Sequence, residues 1–252
     1  MTGATLSAGS MKATRSIKTS ERVARELVNH IVDNDLAEGT KLPNEKQLVE
    51  VFEVGRTTLR EALRLLETRG VITVRPGPGG GPIVRRPRGD DLREGLTLIL
   101  QFGGGSLGDV LDARTALEPM MARLAAQRIT DEEIAELAAS VDRMRDRATD
   151  HDVFLEENQF FHARIAEITG SAVLRAFNDT LKSIADGAVV GVEYTSRRRL
   201  AVAAAHGKVV DALRERDGDA AAEAMRAHVG EAGDFWNRKY PELISRPVRW
   251  VH

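Results

Sequence analysis

The sequence has no cysteine, which excludes disulfides, thiolate catalysis and Cys-ligated zinc and fits a reducing compartment. It has no apolar run near the roughly 18 residues a membrane span needs, and its start, MTGATLSAGSMKATRS, lacks the apolar stretch of an export signal. A cytoplasmic protein without membrane segments is the expectation. No histidine pair stands in the H-E-x-x-H arrangement of a metalloprotease. Prolines are few between residue 90 and Pro241, so little interrupts helices there.

What is present describes a globular chain of 252 residues, 42% hydrophobic and 29% charged, long enough for two domains with real cores. The net charge of -2 hides an asymmetry. Lys12 to Arg88 carries 15 Lys/Arg against 10 Asp/Glu, whereas Gly89 to His252 carries 21 against 28. A basic N-terminal third on an acidic remainder predicts that a polyanion meets only one of the domains.

Residues 1–15, rich in Ser, Thr, Gly and Ala, read as a disordered tail. Val23, Leu27 and Ile31 recur at helical spacing and predict a first helix. Gly39 and Pro43 bracket a short extended piece, and Asn44 followed by Gln47 forms a capping-box pattern that opens a second helix. Residues 53–55, EVG, read as a turn. In the stretch after it, Leu59, Leu63 and Leu66 line one helix face while Arg56 and Arg60 share another, with Thr57 and Thr58 at the N-terminal end. The second helix of a helix-turn-helix presents its N-terminal residues to base edges in this way. VITVRPGPGGGPIVRRP then predicts two short strands around a Gly/Pro tip, a wing. The arginine face has a plainer explanation as a solvated charged surface; the flanking turn and wing favour DNA.

Residues 22–86 resemble the winged helix-turn-helix of the GntR family of bacterial transcription regulators. Gly39, Leu42, Pro43, Glu45, Leu48, Phe52 and Val54 carry the likeness ahead of the recognition helix. Arg56, Leu59, Arg60, Glu61, Ala62, Leu63, Leu66, Gly70 and the wing glycines carry it through and beyond. The resemblance implies that Lys46 and Arg56 reach bases in the major groove, that Thr57, Thr58 and Arg60 contact phosphates, and that the wing tip at Gly77 and Gly79 enters the minor groove. Lys46 stands where many relatives have Arg, and lysine cannot fork onto a base. Gly55 replaces a usual Ser.

After the linker expected at 89–95, the remainder reads as six or seven helices separated by breaks such as FGGGS, ITGS and RDGDA. The expected organisation is mostly α: a winged helix-turn-helix domain over 16–88, an all-α bundle over 96–240, and a tail over 241–252. The bundle resembles the FCD ligand-binding domain of the FadR-like subgroup. Arg114 falls on the apolar stripe of Val110, Leu117, Met121 and Leu124, either pairing with Glu118 one turn on or, as the resemblance implies, clamping an effector carboxylate. Asn158 and His162 project from one helix face. Relatives have Asp at the Asn158 position, and there the Asp and His bind a metal. His206 and His228 lie at nearly equal heights on either side of a turn at 217–219, so an antiparallel hairpin sets them face to face. Asn158, His162, His206 and His228 are the metal-ligand candidates, for Zn, Ni, Mn or Fe; without a metal, the histidines would bond an effector directly.

The resemblance therefore implies a homodimer that binds a palindromic double-stranded operator, commonly as a repressor, and responds to a small carboxylate effector near a divalent ion. A regulator for which the metal itself is the signal is one alternative. A metal-dependent hydrolase with Glu156 or Glu157 as base is another; an attached DNA-binding domain argues against any enzyme.

Overall fold

The computed structural model describes residues 8–77, 79–186 and 193–249, of which 8–17 by backbone alone. The chain forms two compact units, residues 1–91 and 92–252.

In the first unit, α1 (Ala8–Asp33), α2 (Glu45–Phe52) and α3 (Arg56–Thr68) precede a two-stranded antiparallel sheet of β1 (Ile72–Arg75) and β2 (Gly81–Val84). Asn44 caps α2 through the full capping box with Gln47. Glu53 ends α2 in the left-handed conformation (φ 51°), and Gly55 starts α3 without a side-chain cap. The turn between the two helices is thus three residues long. Leu59, Leu63 and Leu66 are buried against Val23, Leu27, Ile31 and Leu48. The extended piece before α2 pairs with the far strand of the wing: Leu42 N–H donates to Pro82 O at 2.9 Å and Val84 N–H to Thr40 O at 2.9 Å. The wing is therefore tied to the entrance of the helix-turn-helix.

The second unit is helical. It comprises α4 (Gly89–Gly103), which begins at the division, α5 (Leu107–Ala126), α6 (Asp131–Asp146), α7 (His151–Ile168), α8 (Ala172–Ile184), α9 (Ser196–Arg214), α10 (Gly218–Lys239) and α11 (Pro241–Ile244). Polar caps set the starts of the long helices. Ser106 and Thr130 form capping boxes with Asp109 and Glu133, and Asp150, Ser171, Thr195 and Asp217 cap the helices that follow. Alanines 122, 125, 126, 166 and 221 allow close approach of α5, α7 and α10 around Met121, Phe161, Ile165, Val209 and Leu213.

Three boundaries differ from the sequence reading. The tail expected over 1–15 is helical from Ala8 onward, because Ala, Met, Lys and Arg without proline let α1 extend outward from its anchored turns; residues 1–7 lie outside the described part. The linker expected at 89–95 is the first half of α4, with Asp90 and Asp91 in its first turn favouring a helix start. The expected tail at 241–252 instead contains α11, and Pro247 bridges Ser106 while Ile244 and Val248 pack beside Leu107 and Trp236. Residues 250–252 lie outside the described part. The described residues of the second unit thus make eight helices, including the short α11, rather than six or seven.

Gly70 ends α3 at φ 69°, and a Cβ there would sit 2.3 Å from the Asp91 carboxylate, which is itself held by Arg85 and by the Arg88 backbone N–H. Gly70→Ala is expected to destabilise the first unit by about 1–2 kcal/mol from the left-handed backbone alone, with a further loss from the displaced Asp91, measurable by urea denaturation.

Candidate functional site

Two sites emerge, one in each unit. In the first, Arg56, Thr57 and Arg60 are exposed, Thr58 is partly exposed, and all four belong to the first two turns of α3, whose opposite face is buried. Lys46 is exposed on α2. Gly77 and Gly79 sit at the wing tip with φ of 94° and 80°, conformations that favour glycine. Two contacts here escaped the sequence. Arg60 Nε donates to Glu45 at 3.0 Å, tying the two helices together, and Lys41 Nζ donates to the Gly79 carbonyl, tying the wing tip to the strand before α2. Both link residues far apart in sequence, and neither has a local pattern. The Arg60–Glu45 pair is exposed, so its value is orientation rather than stability.

In the second unit, α7 supplies His162, α9 His206 and α10 His228. All three are buried, and their Nε2 atoms converge: His206 to His228 is 3.1 Å and His228 to His162 is 3.3 Å. Metal–nitrogen bonds of about 2.0–2.1 Å place neighbouring ligand nitrogens roughly 2.9–3.4 Å apart, from octahedral to tetrahedral geometry, so this spacing fits a divalent ion. Three imidazoles meeting through the same ring nitrogen are also the donor set such an ion takes. Phe161 stacks on His206 at 3.9 Å between centroids and fixes its ring plane.

A carboxylate stands behind the cluster. Glu118 Oε2 lies 2.6 Å from His162 Nδ1, an ion-pair distance although the ring N–H is not aimed along that line, and Glu118 Oε1 accepts from Arg114 Nε at 2.7 Å. Burial alone would raise the Glu118 pKa; the Arg114 charge first, and then the contact with His162, outweigh it and hold the group well below the usual carboxylate range. Burial, partly opposed by Glu118, lowers the His162 pKa. Burial, reinforced by its histidine neighbours, pushes His206 well below 6.5 and His228 down to about 3. The histidines are therefore neutral at pH 7, the form that binds metal. Lys182 of α8, which also had no local sequence signal, reaches the Asn158 carbonyl at 3.4 Å, and burial with the nearby Arg114 charge pushes it down to about 7.

Arg114, Asn158, His162 and His228 line a cavity inside the unit, together with Tyr194, Arg198 and a set of aromatic and aliphatic side chains. Arg114 pairs with Glu118, the first of the two alternatives the sequence left, and it also lines the cavity. Glu157 is held by Arg143 through two hydrogen bonds, so it is not a free base.

A winged helix-turn-helix in one unit and a helical second unit with a histidine-lined cavity define a two-domain DNA-binding regulator. Residues 19–80 match the family model for bacterial regulatory proteins of the gntR family, and residues 109–231 match that of the FCD domain. The HTH-type transcriptional repressor NanR of Cronobacter sakazakii is 30% identical over 241 residues, spanning 91% of this chain and 89% of that protein. NanR of Salmonella newport is 30% identical over 232 residues, spanning 87% and 86%. Among solved structures, Streptococcus agalactiae GntR superposes with a TM-score of 0.67 at 28% identity, over 86% of this chain and 99% of that one. The chain belongs to the GntR family of DNA-binding transcription regulators and carries the FCD domain in its second unit. No helix among the described residues is long and apolar enough to cross a membrane.

Two outcomes are expected from this geometry. Arg56→Ala should abolish sequence preference without unfolding the domain, since the side chain is exposed; footprinting on the operator checks it, at a discrimination of about 1–3 kcal/mol for a bidentate arginine–guanine pair. In metal-stripped protein, the low histidine pKa values act as follows. The unfolded chain binds protons below about pH 6.5 that the folded cluster refuses, so stability is complete above that pH and falls as pH drops. At pH 5 His228, with its pKa at about 3, is expected to cost about 2 kcal/mol, and His228→Gln should flatten the melting-temperature profile between pH 7 and 5.

Proposed function

We propose that this protein is a cytoplasmic transcriptional repressor that binds a palindromic operator as a homodimer and releases it when a small organic acid enters the FCD cavity beside a divalent metal ion. The observation that carries this reading is the meeting of three buried histidines, two of which line a cavity together with the half-buried Arg114. The repressor role is drawn from the NanR relatives, which bear that name. Two-fold symmetry matched to two half-sites is the physical reason to expect a dimer on a palindrome.

His162, His206 and His228 would hold the ion, with Asn158 offering its amide oxygen from the same helix face as His162. Bound there, the ion supplies positive charge and coordination positions for a carboxylate. Arg114 supplies the second recognition element: its Nε is committed to Glu118, and the guanidinium carries four further N–H donors for an incoming acid. Glu118 cancels the Arg114 charge before the acid arrives and anchors His162 from behind. The acid switches the protein only if it favours one arrangement of the DNA-binding units by its own differential affinity.

Titrating the operator complex with metal and acids separately tests the proposal. Acid in the presence of metal should release the operator, and Arg114→Gln should retain operator binding while raising the acid concentration needed at least tenfold. Release by metal alone would instead select a metal-signalled regulator. Release by neither would refute both. A second outcome follows from Asn158, which leaves the local charge of a bound ion uncancelled. Asn158→Asp is expected to tighten metal binding and weaken metal-dependent acid binding, each on the order of tenfold, equivalent to about 1.4 kcal/mol; calorimetry on metal-stripped protein measures both.

A further inference from the structure

The cavity is lined by both polar and apolar side chains. Beyond Arg114 and the histidines, its wall is made by Leu111, Phe154, Val202, Val229 and Trp236, and all but Leu111 are buried. The polar atoms beside this wall are mostly used. Trp236 Nε1 donates to Tyr194 Oη at 2.8 Å, and Tyr194 stacks on Phe235 while packing against Phe154. Arg198 gives its Nη1 and Nη2 groups to Glu231 at 2.5 and 3.1 Å and lies over the Phe235 ring at 4.7 Å. Its charge is thereby balanced, and only Nε lacks a partner among the described residues.

Each class of acid meets this wall differently. A sugar acid carries a hydroxyl on nearly every carbon, and each one buried without a partner costs about 1–3 kcal/mol; the wall offers few spare donors, Arg198 Nε and the Tyr194 hydroxyl hydrogen. A dicarboxylate would bury its second charge beside Phe154 and Trp236 with no uncommitted cation to meet it. An apolar tail needs no partner and gains about 25 cal/mol for each Å² it removes from water. The free volume is small, so the occupant is compact.

Resting on the acid-sensor reading above, we infer that the effector is a compact monocarboxylate with an apolar tail, its carboxylate at Arg114 and the histidines and its tail between Phe154, Val202 and Trp236. Val202 and Val229 then set specificity, because they present methyl groups where a polar acid would need hydrogen-bond partners.

Calorimetry on the full chain loaded with Ni²⁺ tests this with isovalerate and benzoate against succinate and gluconate. Isovalerate or benzoate is expected to bind at least tenfold tighter than either polar acid, with a negative heat-capacity change from apolar burial. Val202→Thr, which adds a hydroxyl at nearly constant volume, should weaken the apolar-tailed acid at least fivefold and leave Ni²⁺ uptake unchanged; Val229→Thr serves the same purpose if that variant does not fold. Succinate or gluconate binding as tightly as the apolar-tailed acids overturns this inference while leaving the acid-sensor reading intact. Failure of all four acids to bind folded, Ni²⁺-loaded protein overturns the acid-sensor reading and this inference with it.

Discussion

The second unit is organised around one buried carboxylate. Glu118 lies in the interior of α5 between the Arg114 guanidinium, one helical turn away, and His162 on α7. An isolated carboxylate in that position would be neutral or absent, since removing its charge from water costs several kcal/mol. The two partners repay that cost only because both reach it at short range from different elements. In return, Glu118 constrains both: Arg114 cannot leave the cavity wall without stranding a buried charge, and His162 is anchored on its Nδ1 side. With Nδ1 turned to Glu118, Nε2 faces His228. This is the arrangement by which a carboxylate behind a histidine orients it as a ligand.

The packing of the unit follows the same requirement. Three histidines can converge only if α7, α9 and α10 approach closely, and alanines at the contacts of α5, α7 and α10 permit it. The hairpin at Asp217 sets the register of α9 against α10, with the Asp217 side chain capping the returning helix. One capping residue therefore bears on the relative height of His206 and His228. Pro119 inside α5 follows Glu118 directly. A proline there removes an N–H donor and disturbs the helical ladder, which is tolerable in a segment whose carboxylate is already fixed from two sides.

Much of this was legible in the sequence, and the parts that were not share a cause. The capping box at Asn44, the turn at 53–55, the leucine stripe of α3 and the facing of His206 and His228 all rest on local spacing, which sequence displays directly. Glu118 was visible only as a partner for Arg114, because its contact to His162 crosses 44 positions. Lys182 and the Arg60–Glu45 pair escaped for the same reason. The boundaries erred where local composition competes with context. Residues 8–16 looked like part of a tail but continue an anchored helix, and Ile244 and Val248, in what looked like a terminus, cover apolar surface beside Trp236. The apolar wall of the cavity was invisible for a further reason: Leu111, Phe154, Val202 and Trp236 come from four helices, and each alone reads as an ordinary core residue.

The two sites differ in the solution variable to which each is most sensitive. Arg56, Arg60 and Lys46 are exposed cations, so their contribution to DNA binding is a counterion-release effect that weakens steeply with salt and changes little over the pH range where arginine and lysine stay charged. The histidine cluster is enclosed, which shields it from ionic screening, yet protons and metal compete for the same Nε2 atoms, which makes it sensitive to pH. Glu118 sharpens that contrast by keeping the buried charge next to the cluster paired across the pH range in which the exposed carboxylates elsewhere titrate. A change in ionic strength therefore acts on the first unit with little direct effect on the second. A change in proton activity does the reverse, acting on the histidine cluster with little direct effect on the exposed cations of the first unit.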